Sequence, residues 1–381
     1  MRMEFITWFF SITTTLTILS SITIPVHSQC LEDQKSLLLQ LKNSLRFDPD
    51  SSVKLVNWAG TNDCCQWNGV TCDHFGRVIG LDLNTESISG DKGTATLSVL
   101  NLQNNNLTGN IMGTFPKGCT LRTLELNGNN FEGEVPNSLA NCANAEVLNL
   151  GTNNINGNFP CFLANLSELR ILVLRSNKFH GNIGCRGIHN YLWPKLQIID
   201  LALNNFSGIL PPNFFSQRKA MMDGGCTLRT LELNGNNFEG EVPKSLANCA
   251  NAEVLNLVTN NINGNFPCFL TNLSELRILV LRSNKFHGNI GCRGIHNYLW
   301  PKLQIIDLAL NNFSGILPPN FISQRKAMMD GGNRQPNANH LRFDFSQNIY
   351  YEDSVAVINK GLLFGFGPIL VHRRSRGGDK T

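Results

Sequence analysis

The chain has 381 residues, and its 32 lysines and arginines against 28 aspartates and glutamates leave a net charge of only +4. So small a basic excess gives no support for a protein that binds nucleic acid or an anionic membrane. A hydrophobic fraction of 42% excludes a disordered chain, although charged residues reach only 16%, below the roughly 25% of soluble domains. Asparagine is over-represented with 50 residues, which indicates a structure that repeatedly needs a side-chain amide.

The first 28 residues have the features of a secretory signal peptide. A largely apolar and hydroxyl-bearing run over residues 5–24 precedes Val26 and Ser28, which suit a signal peptidase, so we predict cleavage after Ser28. A signal anchor that stays in the membrane is the alternative. Residues 361–371 form the best later apolar run, but 11 residues are too few to span a bilayer, so we expect a soluble exported protein.

Two further features agree with export. All 12 cysteines follow Ser28, and an even number in an exported chain suggests disulfides. Five Asn-x-Ser/Thr sequons predict glycosylation, at Asn106, Asn165, Asn205, Asn272 and Asn312.

Residues 29–76 have the organisation of an N-terminal cap. Residues 31–45 carry apolar side chains at helical spacing and predict an amphipathic helix. Four cysteines follow this pattern and allow three pairings, of which we favour Cys30 with Cys64 and Cys65 with Cys72, because adjacent cysteines rarely bond each other. A zinc site is the alternative, although exported cysteine clusters are usually oxidised.

A repeat with the pattern L-x-x-L-x-L-x-x-N-x-L-x-G-x-I-P follows the cap. Units begin at residues 97, 121, 145, 169 and 196, so that the first three steps are 24 residues and the fourth is 27. The alternating leucines predict a short strand that points them inward, and the asparagine amide can satisfy backbone groups at the turn that follows. One such unit, or rung, cannot bury its own core and depends on its neighbours. We therefore expect an α/β-type solenoid with short parallel strands on the concave face, irregular or 3-10 structure on the convex side, and a helical cap.

A longer duplication lies over these rungs. Residues 118–224 match residues 225–331 at all but four positions: Asn137/Lys244, Gly151/Val258, Ala164/Thr271 and Phe215/Ile322. At the junction the step between rungs is 32 residues, and we expect a loop or kink at residues 216–225. We place the repeats at residues 77–330 and an atypical tail at residues 331–381.

The cap motif CLEDQKSLLLQLKNSL…W…CCQWNGVTCD, together with GRVIGLDL and the L-x-G-x-I-P tails, resembles the plant leucine-rich-repeat receptor-like proteins, and most of all the Verticillium wilt resistance receptor group. This resemblance covers nearly all of residues 1–361. It implies a cell-surface immune receptor without a kinase, which binds an apoplastic ligand and signals through a partner receptor kinase.

The chain departs from that family pattern in three places. Middle repeats are expected to be missing around residues 90–96, the 107-residue block is doubled, and residues 350–361 resemble an island segment after which the chain soon stops. The final repeats and membrane helix of the family are therefore expected to be absent. That absence puts membrane anchoring and assembly with a partner kinase in doubt.

The outward residues of each strand predict the ligand-binding surface, because neighbouring strands lie about 4.8 Å apart and their side chains form columns. We expect an exposed apolar patch flanked by charges, which suits a protein or peptide ligand. The alternative is that β-branched residues merely stack along the sheet. These concave-face residues are Thr123, Glu125, Asn127, Val147, Asn149, Gly151, Ile171, Val173, Arg175, Ile198, Asp200, Glu232, Val254, Val258, Ile278, Val280, Arg282, Ile305 and Asp307.

The other eight cysteines are four duplicated positions, among them Cys119 with Cys142 and Cys161 with Cys185, one rung apart. Stacked rungs could bring each pair within bonding range, and free buried cysteines are the equal alternative. No catalytic, metal or nucleotide motif is present, so we expect neither enzyme activity nor a cofactor.

The leading functional hypothesis is an extracellular recognition protein of plant defence that binds a protein or peptide ligand. A secreted inhibitor of a pathogen cell-wall-degrading enzyme, like the polygalacturonase-inhibiting proteins, is the second. A non-functional product of a rearranged locus is the third, because an uncapped last rung exposes core.

Overall fold

A computed structural model describes the cap and repeats, namely residues 29–45, 47, 49–50, 52–84, 86, 97–111, 115–185, 193–215, 226–292, 300–318 and 321. It also describes the backbone of strands between residues 341 and 373. The chain forms two units, Met1–Phe179 and His180–Thr381. The predicted signal peptide and the junction at residues 216–225 lie outside the described residues, and the predicted domain boundaries stay a prediction.

The cap of the first unit begins with helix α1, Glu32–Ser44. Acidic residues in its first turn and Lys42 in its last suit the helix dipole. The side chain of Gln34 accepts a hydrogen bond of 2.8 Å from the backbone N–H of Val78 and so fastens the helix to the first rung. The predicted cap helix is confirmed.

Disulfides and stacked indoles hold the rest of the cap. Cys30 pairs with Cys64 and Cys65 pairs with Cys72, the pairing we favoured over a zinc site. Trp58 stacks on the ring of Trp67 at 5.2 Å and donates its indole N–H to the carbonyl of Asn68 at 3.0 Å. The cap is therefore covalently closed around a buried aromatic pair.

Nine short strands lie wholly in the first unit: β1 Val70–Cys72, β2 Val78–Asp82, β3 Val99–Asn101, β4 Thr108–Asn110, β5 Thr123–Glu125, β6 Asn130–Glu132, β7 Val147–Asn149, β8 Asn156–Asn158 and β9 Ile171–Val173. The main sheet begins with β1 antiparallel to β2. β2, β3, β5, β7 and β9 then pair in parallel, one strand from each rung. β4 pairs with β6 in parallel on the far side of the turn.

The second unit continues the same alternation: β10 Lys178–Gly181, which begins just before it, β11 Ile198–Asp200, β12 Asn205–Ile209, β13 Thr230–Glu232, β14 Asn237–Glu241, β15 Val254–Asn256, β16 Asn261–Asn265, β17 Ile278–Val280, β18 Lys285–Asn289, β19 Ile305–Asp307 and β20 Asn312–Ser314. β11, β13, β15, β17 and β19 form one parallel sheet. The even-numbered strands form a second parallel sheet. β11 and β13 pair in register although their rungs are 32 residues apart.

The asparagine that recurs in each repeat provides the side-chain amide that the composition predicted. The Asn129 amide donates to the carbonyls of Leu102 and Leu126 at 2.8 and 3.0 Å, and its oxygen accepts from the N–H of Leu107 at 3.0 Å. Asn153 and Asn177 in the first unit and Asn236, Asn260 and Asn284 in the second make the same kinds of bond. Each amide bonds backbone groups of its own rung and the rung before it, which binds the rungs together.

The opposite side of the rungs carries 3-10 helices: Asn137–Asn141 and Cys161–Asn165 in the first unit, and Pro212–Phe214, Lys244–Asn248 and Cys268–Asn272 in the second. Two more lie in the cap, at Leu55–Asn57 and Cys64–Gln66. Disulfides join neighbouring rungs here, pairing Cys119 with Cys142, Cys226 with Cys249, and Cys268 with Cys292. No described cysteine is free, which decides between the two alternatives for the repeat cysteines.

The backbone after the last rung forms five further strands: β21 Leu341–Ser346, β22 Ile349–Asp353, β23 Ala356–Asn359, β24 Leu362–Gly365 and β25 Leu370–Arg373. β22 pairs antiparallel with both β21 and β25. β23 and β24 form a separate hairpin. The segment that resembles an island therefore contains most of β22 and all of β23.

Candidate functional site

The structure arranges the concave-face residues in columns. In the first unit Thr123 lies beside Val147, which lies beside Ile171. In the second unit one column runs through Ile198, Thr230, Val254, Ile278 and Ile305, and the other through Asp200, Glu232, Asn256, Val280 and Asp307. The sequence pattern therefore identified side chains that share one face of each sheet.

The expected exposure of this apolar patch is wrong. Thirteen of the concave-face residues are buried: Thr123, Glu125, Val147, Asn149, Gly151, Ile171, Val173, Ile198, Asp200, Glu232, Val254, Ile278 and Val280. Val254, Ile278 and Val280 form one packed cluster, against which the half-buried side chains of Val258 and Ile305 lie. Ile305, on a strand that has a partner on only one side among the described strands, is half-buried. The stacking alternative thus describes the apolar columns better than a binding patch does.

A row of half-buried residues lies two positions beyond the ends of β5, β9, β13, β15 and β17. It comprises Asn127 and Arg175 in the first unit and Asn234, Val258 and Arg282 in the second. We define the half-buried row as a set of five residues in the second unit: Asn234, Val258, Arg282, Ile305 and Asp307. Asn234 was missed by the sequence analysis, although its duplicate Asn127 was named.

The half-buried row combines three chemistries along neighbouring strands. The amide oxygen of Asn234 accepts a long bond of 3.5 Å from Asn256. Val258 packs against the buried valine and isoleucine cluster. Arg282 pairs with the carboxylate of Asp307 at 3.3 Å. The half-buried row therefore places an amide, an apolar side chain and a charged side chain on neighbouring strands.

Glu125 differs from its neighbours because it is a buried carboxyl group. Its side chain is 3% exposed, and its Oε2 has no hydrogen-bond partner among the described residues. Burial and then the nearby charge of Asp82 raise the pKa of Glu125 to about 8, so the group is mostly neutral at pH 7.

The five predicted glycosylation sites share one property: all of their asparagines are exposed, namely Asn106, Asn165, Asn205, Asn272 and Asn312. Exposure is what a glycan acceptor requires, and glycosylation itself stays a prediction. Within the described part of the chain, no helix combines the length and apolar character needed to cross a bilayer.

The sequence of the cap matches a leucine-rich-repeat N-terminal domain at residues 31–73. Leucine-rich repeats match at residues 96–117, 120–142, 195–216, 227–249 and 302–323. These stretches agree with the cap and rungs of the structure. The fold class is therefore confirmed as a solenoid of leucine-rich repeats with a disulfide-bonded cap.

Three known proteins are informative. Receptor-like protein 35 of Arabidopsis thaliana is 31% identical over 167 residues, which are 44% of this chain and 16% of that protein. The leucine-rich-repeat ectodomain of the receptor kinase GASSHO1/SCHENGEN3 from the same plant, solved in complex with CASPARIAN STRIP INTEGRITY FACTOR 2, is 27% identical with a TM-score of 0.58. The match covers 75% of this chain and 36% of the ectodomain chain. A TDR receptor structure is 30% identical with a TM-score of 0.51, over 58% of this chain and 36% of its own.

This chain thus corresponds to a small part of each of these relatives. The finer resemblance to the Verticillium wilt receptor group stays a prediction. The cap, the repeats and the similarity to receptor-like proteins agree with one another. The chain carries a leucine-rich-repeat N-terminal domain and leucine-rich repeats, and it is similar to plant receptor-like proteins.

Proposed function

We propose that the protein is an extracellular recognition protein of plant defence, which captures a peptide or protein ligand non-covalently and has no kinase or catalytic activity of its own. The observation that carries this proposal is the half-buried row, where Asn234, Val258 and Arg282 follow one another on neighbouring rungs. An extended peptide across these rungs would meet an amide, an apolar side chain and a charge in turn.

The similarity to a receptor ectodomain solved with a bound ligand supports this proposal. The even cysteine count and the exposed sequons support an extracellular location. A partner receptor kinase, implied by the family resemblance, stays a prediction.

The test is selection of a random 12-residue peptide library against the immobilised full chain, followed by titration of the selected peptides. We expect saturable binding that Val258→Arg and Arg282→Glu each weaken at least about tenfold, because both change the centre of the row. Lys244→Asn is the matched control, since Lys244 is exposed on the 3-10 side and the first copy carries Asn137 there.

Two outcomes would contradict the proposal. One is the failure of any peptide to enrich above an unrelated leucine-rich-repeat chain. The other is a set of peptides that bind Val258→Arg, Arg282→Glu and the unchanged protein equally well.

A further inference from the structure

Two rungs of the second unit have the same sequence but different surroundings. Residues 196–211 and residues 303–318 both read LQIIDLALNNFSGILP. The first rung is followed by the rung of residues 228–243, which pairs with both of its strands. Beside the second rung, β19 and β20 have no further partner among the described strands. The chain therefore contains a covered and an open version of one surface.

The covered version shows which hydrogen bonds this surface makes with a neighbouring rung. The N–H groups of Leu201 and Leu203 donate to the carbonyls of Glu232 and Asn234 at 2.9 and 2.7 Å. In return, the N–H groups of Arg229 and Thr230 reach the carbonyl of Gln197 at 2.7 and 3.0 Å. These bonds form a parallel ladder.

Side chains complete this covered surface. The amide of Asn236 donates to the carbonyl of Leu201 at 2.9 Å and accepts from the N–H of Phe206 at 3.0 Å. The Phe206 ring stacks on that of Phe238, with centroids 6.3 Å apart. In the covered rung the neighbour thus supplies an asparagine and an aromatic residue in fixed register with its strand.

The open version exposes the same groups. Leu317 is 49% exposed whereas its duplicate Leu210 is 2% exposed, and Ala309 is exposed whereas Ala202 is fully buried. Two backbone N–H groups that are bonded in the covered rung have no partner among the described residues, and these belong to Leu308 and Leu310. An unpaired strand edge with exposed apolar side chains favours the addition of a strand.

We propose that this open face of residues 303–318, which we call the end face, docks one leucine-rich-repeat segment of another polypeptide, added as a parallel strand beside β19. The occupant follows from continuity: the end face extends an interface that an identical sequence already makes within this chain. A second copy of the chain is less suited, because three of its four segments with this pattern, residues 121–136, 228–243 and 276–291, are covered by a rung on each side. In the fourth, residues 169–184, β9 is paired with β7. The partner must carry Leu-x-Leu-x-x-Asn-x-Phe, the pattern of residues 231–238.

The probe is a fluorescent synthetic peptide with the sequence of residues 226–249, closed by the disulfide that joins Cys226 to Cys249 in the protein. It is titrated with the full chain by fluorescence anisotropy. We expect saturable binding, weakened at least about tenfold when the peptide carries Asn236→Ala, because two interface bonds are lost.

Protein variants locate the peptide. Leu317→Asp and Ala309→Arg should each weaken binding at least about tenfold, because the covered rung buries both positions. Lys302→Gln is the control on the same rung, since Lys302 bonds Glu275 of the preceding rung and points away from the end face. Two variants of different chemistry, both checked by circular dichroism, keep the test informative if one fails to fold.

Three results would overturn the proposal. The first is no saturable binding of the closed peptide to the full chain. The second is equal binding to Leu317→Asp, Ala309→Arg and Lys302→Gln, which would mean non-specific adhesion. The third is self-association of the chain, seen by light scattering without peptide and abolished by Leu317→Asp, which would make a second copy the occupant.

Discussion

At the scale of single residues, each buried asparagine amide is expected to contribute more to stability than an exposed ion pair. Asn260 donates to the carbonyls of Leu233 and Leu257 at 3.0 and 3.1 Å and accepts from the N–H of Phe238 at 3.0 Å. Asn260→Ala should lower the free energy of unfolding by about 3 kcal/mol, because buried backbone groups lose their partner. Denaturant titration followed by circular dichroism measures this loss. Asn263→Ala is the control on the same rung, where the exposed side chain should matter by less than about 0.5 kcal/mol.

Two buried glutamates should make the free energy of unfolding depend on pH in opposite directions. The pKa of Glu125 is raised to about 8, so the folded protein holds a proton that the unfolded chain releases near its usual pKa. Stability is therefore lost as pH rises from about 4.5 towards 8. Glu125→Gln should remove this slope and stabilise the protein more at pH 8 than at pH 5. Unfolding free energies at the two pH values test this, with exposed Glu132→Gln as the control for net charge. An unchanged slope in Glu125→Gln would refute it.

Glu86 provides the reverse case in the cap. Burial acts to raise the pKa of Glu86, but hydrogen bonds from the Ser52 hydroxyl and from the N–H groups of Leu55, Val53 and Lys54 outweigh it and lower the pKa. The carboxylate therefore contributes stability above its unfolded pKa, which is lost as pH falls through the lowered folded pKa. Glu86→Gln should destabilise the cap most at neutral pH, with the difference from the unchanged protein shrinking in acid. A difference that grows in acid would contradict this assignment.

At the scale of the elements, the disulfides on the 3-10 side should stabilise neighbouring rungs. Cys226 and Cys249 are 23 residues apart, as are Cys119 and Cys142 in the first copy. Replacing both cysteines of either pair by serine should cost about 3 kcal/mol of unfolding free energy, because the unfolded chain regains conformational freedom. Thermal unfolding of each double variant measures the cost, and either variant unfolding at the same temperature as the unchanged chain would contradict the expectation.

The elements also show what a sequence pattern predicts and what it does not. The period of 24 residues predicted the strands, and the amphipathic run of residues 31–45 predicted α1, because both depend on local spacing. The exposure of Ile171 and Val254 could not be read in the same way, since an outward side chain is exposed only if its neighbours leave it uncovered. Glu86 escaped notice for a similar reason, because its partners lie more than 30 residues away.

At the scale of the whole molecule, the duplication gives the protein its own internal controls. Val258 replaces Gly151 on the concave side, and Lys244 replaces Asn137 on the 3-10 side, while nearly all the surrounding residues are identical. Differences in binding between variants of the two copies can therefore be assigned to named side chains. The same duplication exposes in residues 303–318 a surface that residues 196–211 keep covered.

The most direct test of the proposed recognition function is hydrogen exchange on the full chain with and without a library-selected peptide. Bound peptide should slow exchange in residues 230–234, 254–258, 278–282 and 305–307, the strands and turns that carry the half-buried row. Protection confined to the 3-10 side, at residues 244–248 and 268–272, would contradict the account, because the ligand would then bind the opposite face of the rungs.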